Sequence, residues 1–126
     1  MSVLIAAAKA ALVFIIDGGG AVITTGVKGY LRVPFPCIID RVTLTADQGG
    51  SIQIDIWKSS YAAFPPTDAN SITGSHEPKI TAGNKSEDAT LSGWTNSLNE
   101  GDILAFNVDS VTTITRLTVN LHVRKR

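Results

Sequence analysis

Few side chains in this sequence have types and spacing suited to chemistry. Cys37 is the one cysteine, and His76 and His122 are the two histidines. A Cys–His pair becomes a nucleophile when the imidazole takes the thiol proton. Cys37, however, stands between Pro36 and Ile38-Ile39, where a small buried thiol is expected. A single cysteine also excludes an internal disulfide and every multi-cysteine zinc site. His76 falls in a loop-like segment and His122 on the outward side of an alternating one. A metal site within one chain would need carboxylates brought from afar; one histidine per chain around a three-fold axis is the other geometry weighed. Asp55, Asp68, Glu77, Glu87, Asp88, Glu100 and Asp102 could hydrolyse a glycoside if two were held at a fixed separation, but turn and strand-surface positions account for all of them. Asn99-Glu100-Gly101-Asp102 has the composition of a calcium loop without its ligand spacing. Gly18-Gly19-Gly20 lacks the following helix or the Gly-Lys-Ser/Thr ending that a phosphate loop needs, and reads as a turn. The expectation is therefore no catalytic residue, no metal, no cofactor and no enzyme.

The aromatic residues Trp57, Tyr61, Phe64 and Trp94 carry more information. Trp57 alternates with Ile54 and Ile56, so it faces away from the core. Either residues 61–66 fold back over it as a satellite cluster, or Trp57, Tyr61 and Trp94 form a platform on which a sugar ring stacks.

The elements that must position these groups are strands. Residues 27–35 alternate, with Tyr30 and Arg32 on one side and Leu31, Val33 and Phe35 on the other; Pro34 and Pro36 end the run or mark an edge. Residues 37–46 form the next strand, with Ile38, Val42, Leu44 and Ala46 inward and Ile39, Arg41, Thr43 and Thr45 outward. Asp47-Gln48-Gly49-Gly50 reads as a hairpin turn. Ile52, Ile54 and Ile56 then alternate with Gln53, Asp55 and Trp57, the pattern of a half-buried antiparallel pair. Residues 58–90 hold Pro65-Pro66, Pro78, Gly74 and Gly83 and show no strong period; short strands are expected near 71–75 and 78–82. Residues 103–108 form a strand, Asp109-Ser110 a turn, and 111–123 the last and longest strand, with Leu117, Val119, Leu121 and Val123 inward. About seven to nine short strands separated by turn residues predict an all-β fold, an antiparallel, jelly-roll-like β-sandwich.

The chain has 126 residues, 44% of them hydrophobic and 17% charged, which suits one folded domain rather than disorder. Eleven basic residues balance eleven acidic ones, so no positive excess supplies affinity for nucleic acid. Residues 1–16 are apolar apart from Ser2 and Lys9. That run is shorter than the ~20 residues of a membrane span and has no basic residues ahead of it, as a secretory signal would; neither membrane nor nucleic acid is an expected partner. Residues 6–12 could form a short alanine-rich helix, and 12–16 read as a strand. The domain division predicted is an apolar arm over 1–13 and a single β-sandwich over 14–126. The arm either completes the core or docks on a neighbouring subunit. Arg124-Lys125-Arg126 forms a basic tail whose default state is solvated and frayed.

Several segments occur in an order that resembles a β-rich module of tailed-bacteriophage structural proteins. They are Asp17-Gly18-Gly19-Gly20, Thr24-Thr25-Gly26-Val27-Lys28-Gly29, Val33-Pro34-Phe35, Thr45-Ala46-Asp47-Gln48, Ile54-Asp55-Ile56-Trp57-Lys58, Phe64-Pro65-Pro66-Thr67, Gly93-Trp94 and Phe106-Asn107-Val108-Asp109. The resemblance spans residues 14–123. It implies a virion structural protein of head, tail or fibre and carries over no catalytic residue. The module usually hangs from a long chain; standing almost alone, it fits a capsid decoration or cement protein on the head surface, a homo-oligomer, expected to be a trimer, bound to the major capsid protein or another virion protein. Val3, Leu4, Ile5, Leu12 and Phe14 are then the expected interface residues, with Arg124, Lys125 and Arg126 as further candidates. The alternative is a tail or tail-fibre module that binds host carbohydrate through Trp57, Tyr61 or Trp94.

Overall fold

The computed structural model describes residues 8–126. They form an all-β, antiparallel sandwich of seven strands: β1 (Lys9–Asp17), β2 (Gly26–Arg32), β3 (Cys37–Ser59), β4 (Lys79–Asp88), β5 (Ser97–Leu98), β6 (Ile103–Thr112) and β7 (Arg116–Lys125). One sheet curls on itself in the order β1-β7-β3-β6-β2, with β4 and β5 also paired to β3. The centre of this arrangement is β3, a continuous strand of 23 residues. Its first half pairs with β7 from Cys37 to Ala46, and its second half pairs with β6 from Ser51 to Ser59. One strand therefore serves both layers. The layers meet where Phe14 of β1 stacks on Phe106 of β6, ring centroids 4.4 Å apart and 4° from parallel.

The hairpin expected at Asp47-Gln48-Gly49-Gly50 does not form. Neither glycine takes a left-handed conformation, and the chain runs on through a bend. The bend is filled by the β6–β7 turn. Asp47 Oδ1 accepts the Arg116 amide at 3.0 Å and the Thr115 amide at 3.3 Å, and Asp47 Oδ2 accepts the Thr115 hydroxyl. Gln48 Nε2 donates to the Thr113 carbonyl, and the Thr113 hydroxyl donates to the Gly49 carbonyl at 2.7 Å. Local turn composition was thus outweighed by pairing across both layers. The Thr115 hydroxyl is the main cause that holds the Asp47 carboxyl below its ordinary pKa; partial desolvation opposes it and the Arg116 and Thr115 amides add to it. A depressed carboxylate stabilises the fold above its unfolded pKa, about 3.9, and that contribution disappears as pH falls through the lower folded value. Asp47→Asn is expected to flatten the loss of stability below about pH 4, as read by urea unfolding at pH 7 and at pH 3. An unchanged pH dependence would remove Asp47 from the acid response.

Two corrections of parity and boundary follow from bulges, and others from a displaced turn and a longer strand. A register shift between Ile39 and Arg41 inserts one residue at Asp40, so Ile39 is fully buried along with Val42 and Leu44 while Ile38 is only half-buried. A second shift, opposite Gln53/Ile54, makes Asp109-Ser110 a bulge within β6 rather than a turn. The turn comes at Thr113, where φ is +62°, so β7 begins at Arg116, with Leu117, Val119, Leu121 and Val123 inward as expected. Between residues 58 and 90, β4 is longer than the strand expected near 78–82, and near 71–75 only Ser71 forms a bridge, to Trp57.

The N-terminal boundary also moves. Lys9–Asp17 pairs along its whole length with β7, so residues 9–13 belong to the sheet and not to an arm. No helix forms over residues 9–12, because pairing with Leu121–Arg124 outweighs the helix preference of Ala10 and Ala11. Leu12, expected at an intersubunit contact, is 5% exposed in the chain's own core, and Phe14 is held by Phe106. Val3, Leu4 and Ile5 fall outside the described residues. The basic tail is not frayed. Arg124 pairs with Asp40 at 3.0 Å, Lys125 Nζ sits 4.5 Å above the Phe35 ring, and Arg126 Nη2 donates to the Leu98 carbonyl at 2.7 Å. Backbone bonds from Lys125 to Ala8 and from Arg126 to Pro36 fasten it further.

Candidate functional site

The outward face of β3, β6 and β2 carries two rows of facing residues, Trp57–Ala105–Tyr30 and Ser59–Ile103–Arg32. Ala105 and Ile103 point outward yet are buried. The long segment after β3 supplies Tyr61 and Phe64 above this face. A tight turn aims them: the Ala63 amide donates to Ser60 Oγ at 3.2 Å, and the Phe64 amide to the Tyr61 carbonyl at 3.3 Å. The Phe64 ring meets Tyr30 edge-on, centroids 4.8 Å apart at 72°. The Arg32 guanidinium lies 4.6 Å above the Tyr61 ring. Tyr30, Arg32, Tyr61, Phe64 and Ile103 enclose a shallow depression of ≈ 570 Å³. Tyr61 is 68% exposed.

Of the three expected stacking rings, only Tyr61 lines this depression. Trp57 is half-buried and donates from Nε1 to Asp55 Oδ2 at 3.0 Å. Trp94 packs against the core and donates from Nε1 to the His76 carbonyl at 3.0 Å. Residues 61–66 do fold back, as one reading required, but their ring contacts land on β2, beyond Ala105. The alternation of residues 27–35 puts Tyr30 and Arg32 on one side together. It gives no signal that the order β3-β6-β2 brings them under a loop some thirty residues later.

The surface combines three exposed π faces, a guanidinium fixed against one of them, and an apolar floor. Such a surface can stack on flat groups and take apolar or anionic contacts. Several of the groups considered for catalysis make contacts elsewhere. Burial pushes the Cys37 thiol pKa up, against the pull of Arg126, which keeps the thiol protonated and unreactive. His122 Nε2 and Thr43 Oγ1 are 2.9 Å apart, and His76 Nδ1 lies 3.4 Å from Ser75 Oγ. Glu87 pairs with Arg41 at 3.1 Å, Asp88 Oδ1 accepts the Thr90 and Leu91 amides, and Asp102 Oδ2 accepts the Asn99 amide. Among the described residues, no three His, Cys, Asp or Glu side chains converge as ion ligands, and no helix is long and apolar enough to cross a membrane. Comparison with protein-family models and with curated proteins finds no match to the chain.

Proposed function

We propose that this chain is a bacteriophage virion structural protein, a head decoration or cement protein that acts by binding rather than by catalysis. The observation that carries the reading is the Tyr30–Arg32–Tyr61–Phe64 surface. Tyrosine and arginine are enriched among the few residues that dominate protein interfaces, and a pre-ordered cluster of them loses little entropy on docking. The segments that resemble a phage structural module supply Phe64, and Gly29 and Val33 flank the stretch that bears Tyr30 and Arg32. Balanced charge fits a protein partner, the major capsid protein, better than packaged DNA. On a shell with many equivalent sites, modest affinity per contact is multiplied by avidity when the chain binds as an oligomer.

A second reading rests on the same rings: exposed Tyr61 and Phe64 also suit the apolar face of a sugar, as in a tail-fibre module that binds host carbohydrate. Separating purified particles into heads and tails distinguishes the two. The decoration reading expects the chain on heads, and Tyr61→Ala with Arg32→Ala is expected to lower head occupancy at fixed protein concentration about tenfold. Location on tails, with NMR shifts of the Tyr30 and Tyr61 resonances on adding host-surface glycans, would favour the carbohydrate reading. Full head occupancy by the double variant would remove this surface from capsid binding.

A further inference from the structure

We propose that β1 pairs with β1 of a second copy of this chain across a two-fold axis centred on Val13, joining the two molecules into one continuous sheet. The proposal rests on β1 alone and is independent of the virion reading.

β1 hydrogen-bonds only β7; among the described residues, nothing pairs with its other edge. The direction of its backbone groups follows from its two ends. The Ala8 carbonyl accepts the Lys125 amide, and the Gly18 amide donates to the Thr115 carbonyl. Ala8 and Gly18 therefore point to β7, and so do the even-numbered residues between them. Lys9, Ala11, Val13, Ile15 and Asp17 direct their N–H and C=O groups to the open edge. The same five residues are exposed, and Val13 and Ile15 are 46% and 58% exposed. A long, regular, apolar edge is a template for another strand.

Charge selects the partner and the register. An antiparallel pair centred on Val13 sets Val13 against Val13, Ala11 against Ile15, and Lys9 against Asp17 at both ends. Each residue of these pairs has its backbone groups on the open edge, so each of these pairs exchanges two hydrogen bonds. Moving the axis to Ala11 or to Ile15 keeps the hydrogen-bond phase but leaves Lys9 and Asp17 without each other and shortens the overlap. Asp17 already faces Arg116 of its own chain at 3.7 Å and accepts the Gly19 amide, so the Lys9 of the second copy would join an existing acidic-basic cluster. The other outer strands are poorer templates: the β2 ladder is broken between Val27 and Gly29, with Gly26 and Gly29 at φ of +109° and +156°; the β4 ladder shifts on both sides of the Gly50–Gly83 pair, with Ala82 at φ +48°; and β5 has only two residues. A two-fold contact also differs from the three-fold assembly implied by the resemblance.

The test combines sedimentation of the full chain with cysteine crosslinking. Cys37 is fully buried, so the unmodified chain is the control. Facing residues of a hydrogen-bonded pair have Cα atoms about 5.5 Å apart, within disulfide reach. Val13→Cys is expected to give a disulfide-linked dimer under mild aerobic oxidation, whereas Ala11→Cys and Ile15→Cys are not, since each faces the other position. Lys9→Glu is expected to raise the dimer dissociation constant about tenfold by setting like charges together. Val13→Pro is expected to give a folded monomer, because proline removes an N–H from the open edge only; circular dichroism checks that the fold survives. A wild-type monomer, a trimer, or preferential crosslinking at Ala11 or Ile15 would overturn the proposal.

Discussion

Gly50→Ala is expected to destabilise the protein by about 3–4 kcal/mol, whereas Gly49→Ala, one residue earlier, is expected to change stability by less than about 0.5 kcal/mol. The contrast comes from the bend in β3. A Cβ built on Gly50 runs into the Thr113 hydroxyl and the Thr112 carbonyl oxygen, with Ile114 Cγ1 at 2.9 Å. The Thr112 oxygen is backbone and cannot rotate away. Ile114 is fully buried, so moving it opens the core. A Cβ on Gly49 meets nothing within 4 Å. Had residues 47–50 formed a hairpin turn, left-handed glycine conformations would make both substitutions costly. Urea unfolding of the two variants therefore tests the topology as well as the contact. Equal effects at Gly49 and Gly50 would favour a turn and count against a strand that passes between the layers.

The same bend shows what could be read in the sequence and what could not. Strict alternation identified Ile52, Ile54 and Ile56 as core, and Leu117 to Val123 likewise, because a two-residue period reports directly which side is buried. It failed at Ile39, where one inserted residue at Asp40 reversed the parity; a bulge has no period of its own. Asp-Gln-Gly-Gly has the composition of a turn, and nothing nearby in sequence reveals that Thr113 and Thr115 come to fill the bend. β4 was missed over most of its length because Gly83, Asn84 and Lys85 dilute its pattern, while a partner already ordered in β3 fixes it in place. The ring cluster followed the same logic. Tyr61 and Phe64 stood out as aromatic, but Tyr30 and Arg32 became part of the site only through strand order. Side-chain type was legible at each position; the company it keeps was set by long-range pairing.

Asp55→Ala is expected to cost about 3–5 kcal/mol and to loosen the segment that bears Tyr61 and Phe64. Asp55 stands on the outward side of β3 between Ile54 and Ile56, and its carboxylate is the acceptor that ties the long segment down. Oδ1 accepts the Ser71 hydroxyl at 2.7 Å, the Thr73 hydroxyl at 2.7 Å and the Ile56 amide at 2.8 Å; Oδ2 accepts Trp57 Nε1 at 3.0 Å. Thr73 is fully buried, so removing the carboxylate leaves its hydroxyl only Ser71 Oγ, 3.2 Å away, and leaves the Trp57 Nε1–H without its acceptor; a buried polar group that loses its partner costs about 1–3 kcal/mol. Asp55→Asn separates the two oxygens. Its amide oxygen can still serve Ser71 and Thr73, but its NH₂ then faces the Trp57 N–H, donor against donor; a loss of about 1–2 kcal/mol is expected, with a red shift of Trp57 emission. The segment is also held by backbone bonds from Ile72 to Ile56 and from Thr95 to Ile72, so amide exchange at Ile72 and Thr95 reports its release before global unfolding. If Asp55→Ala leaves those amides protected, the backbone bonds and the ring contacts on Tyr30 and Arg32 hold the segment without the carboxylate. If they exchange faster, the carboxylate on β3 sets the order of the ring surface above it, and on the decoration reading proposed above head occupancy is expected to fall with it, although Asp55 lies outside the depression.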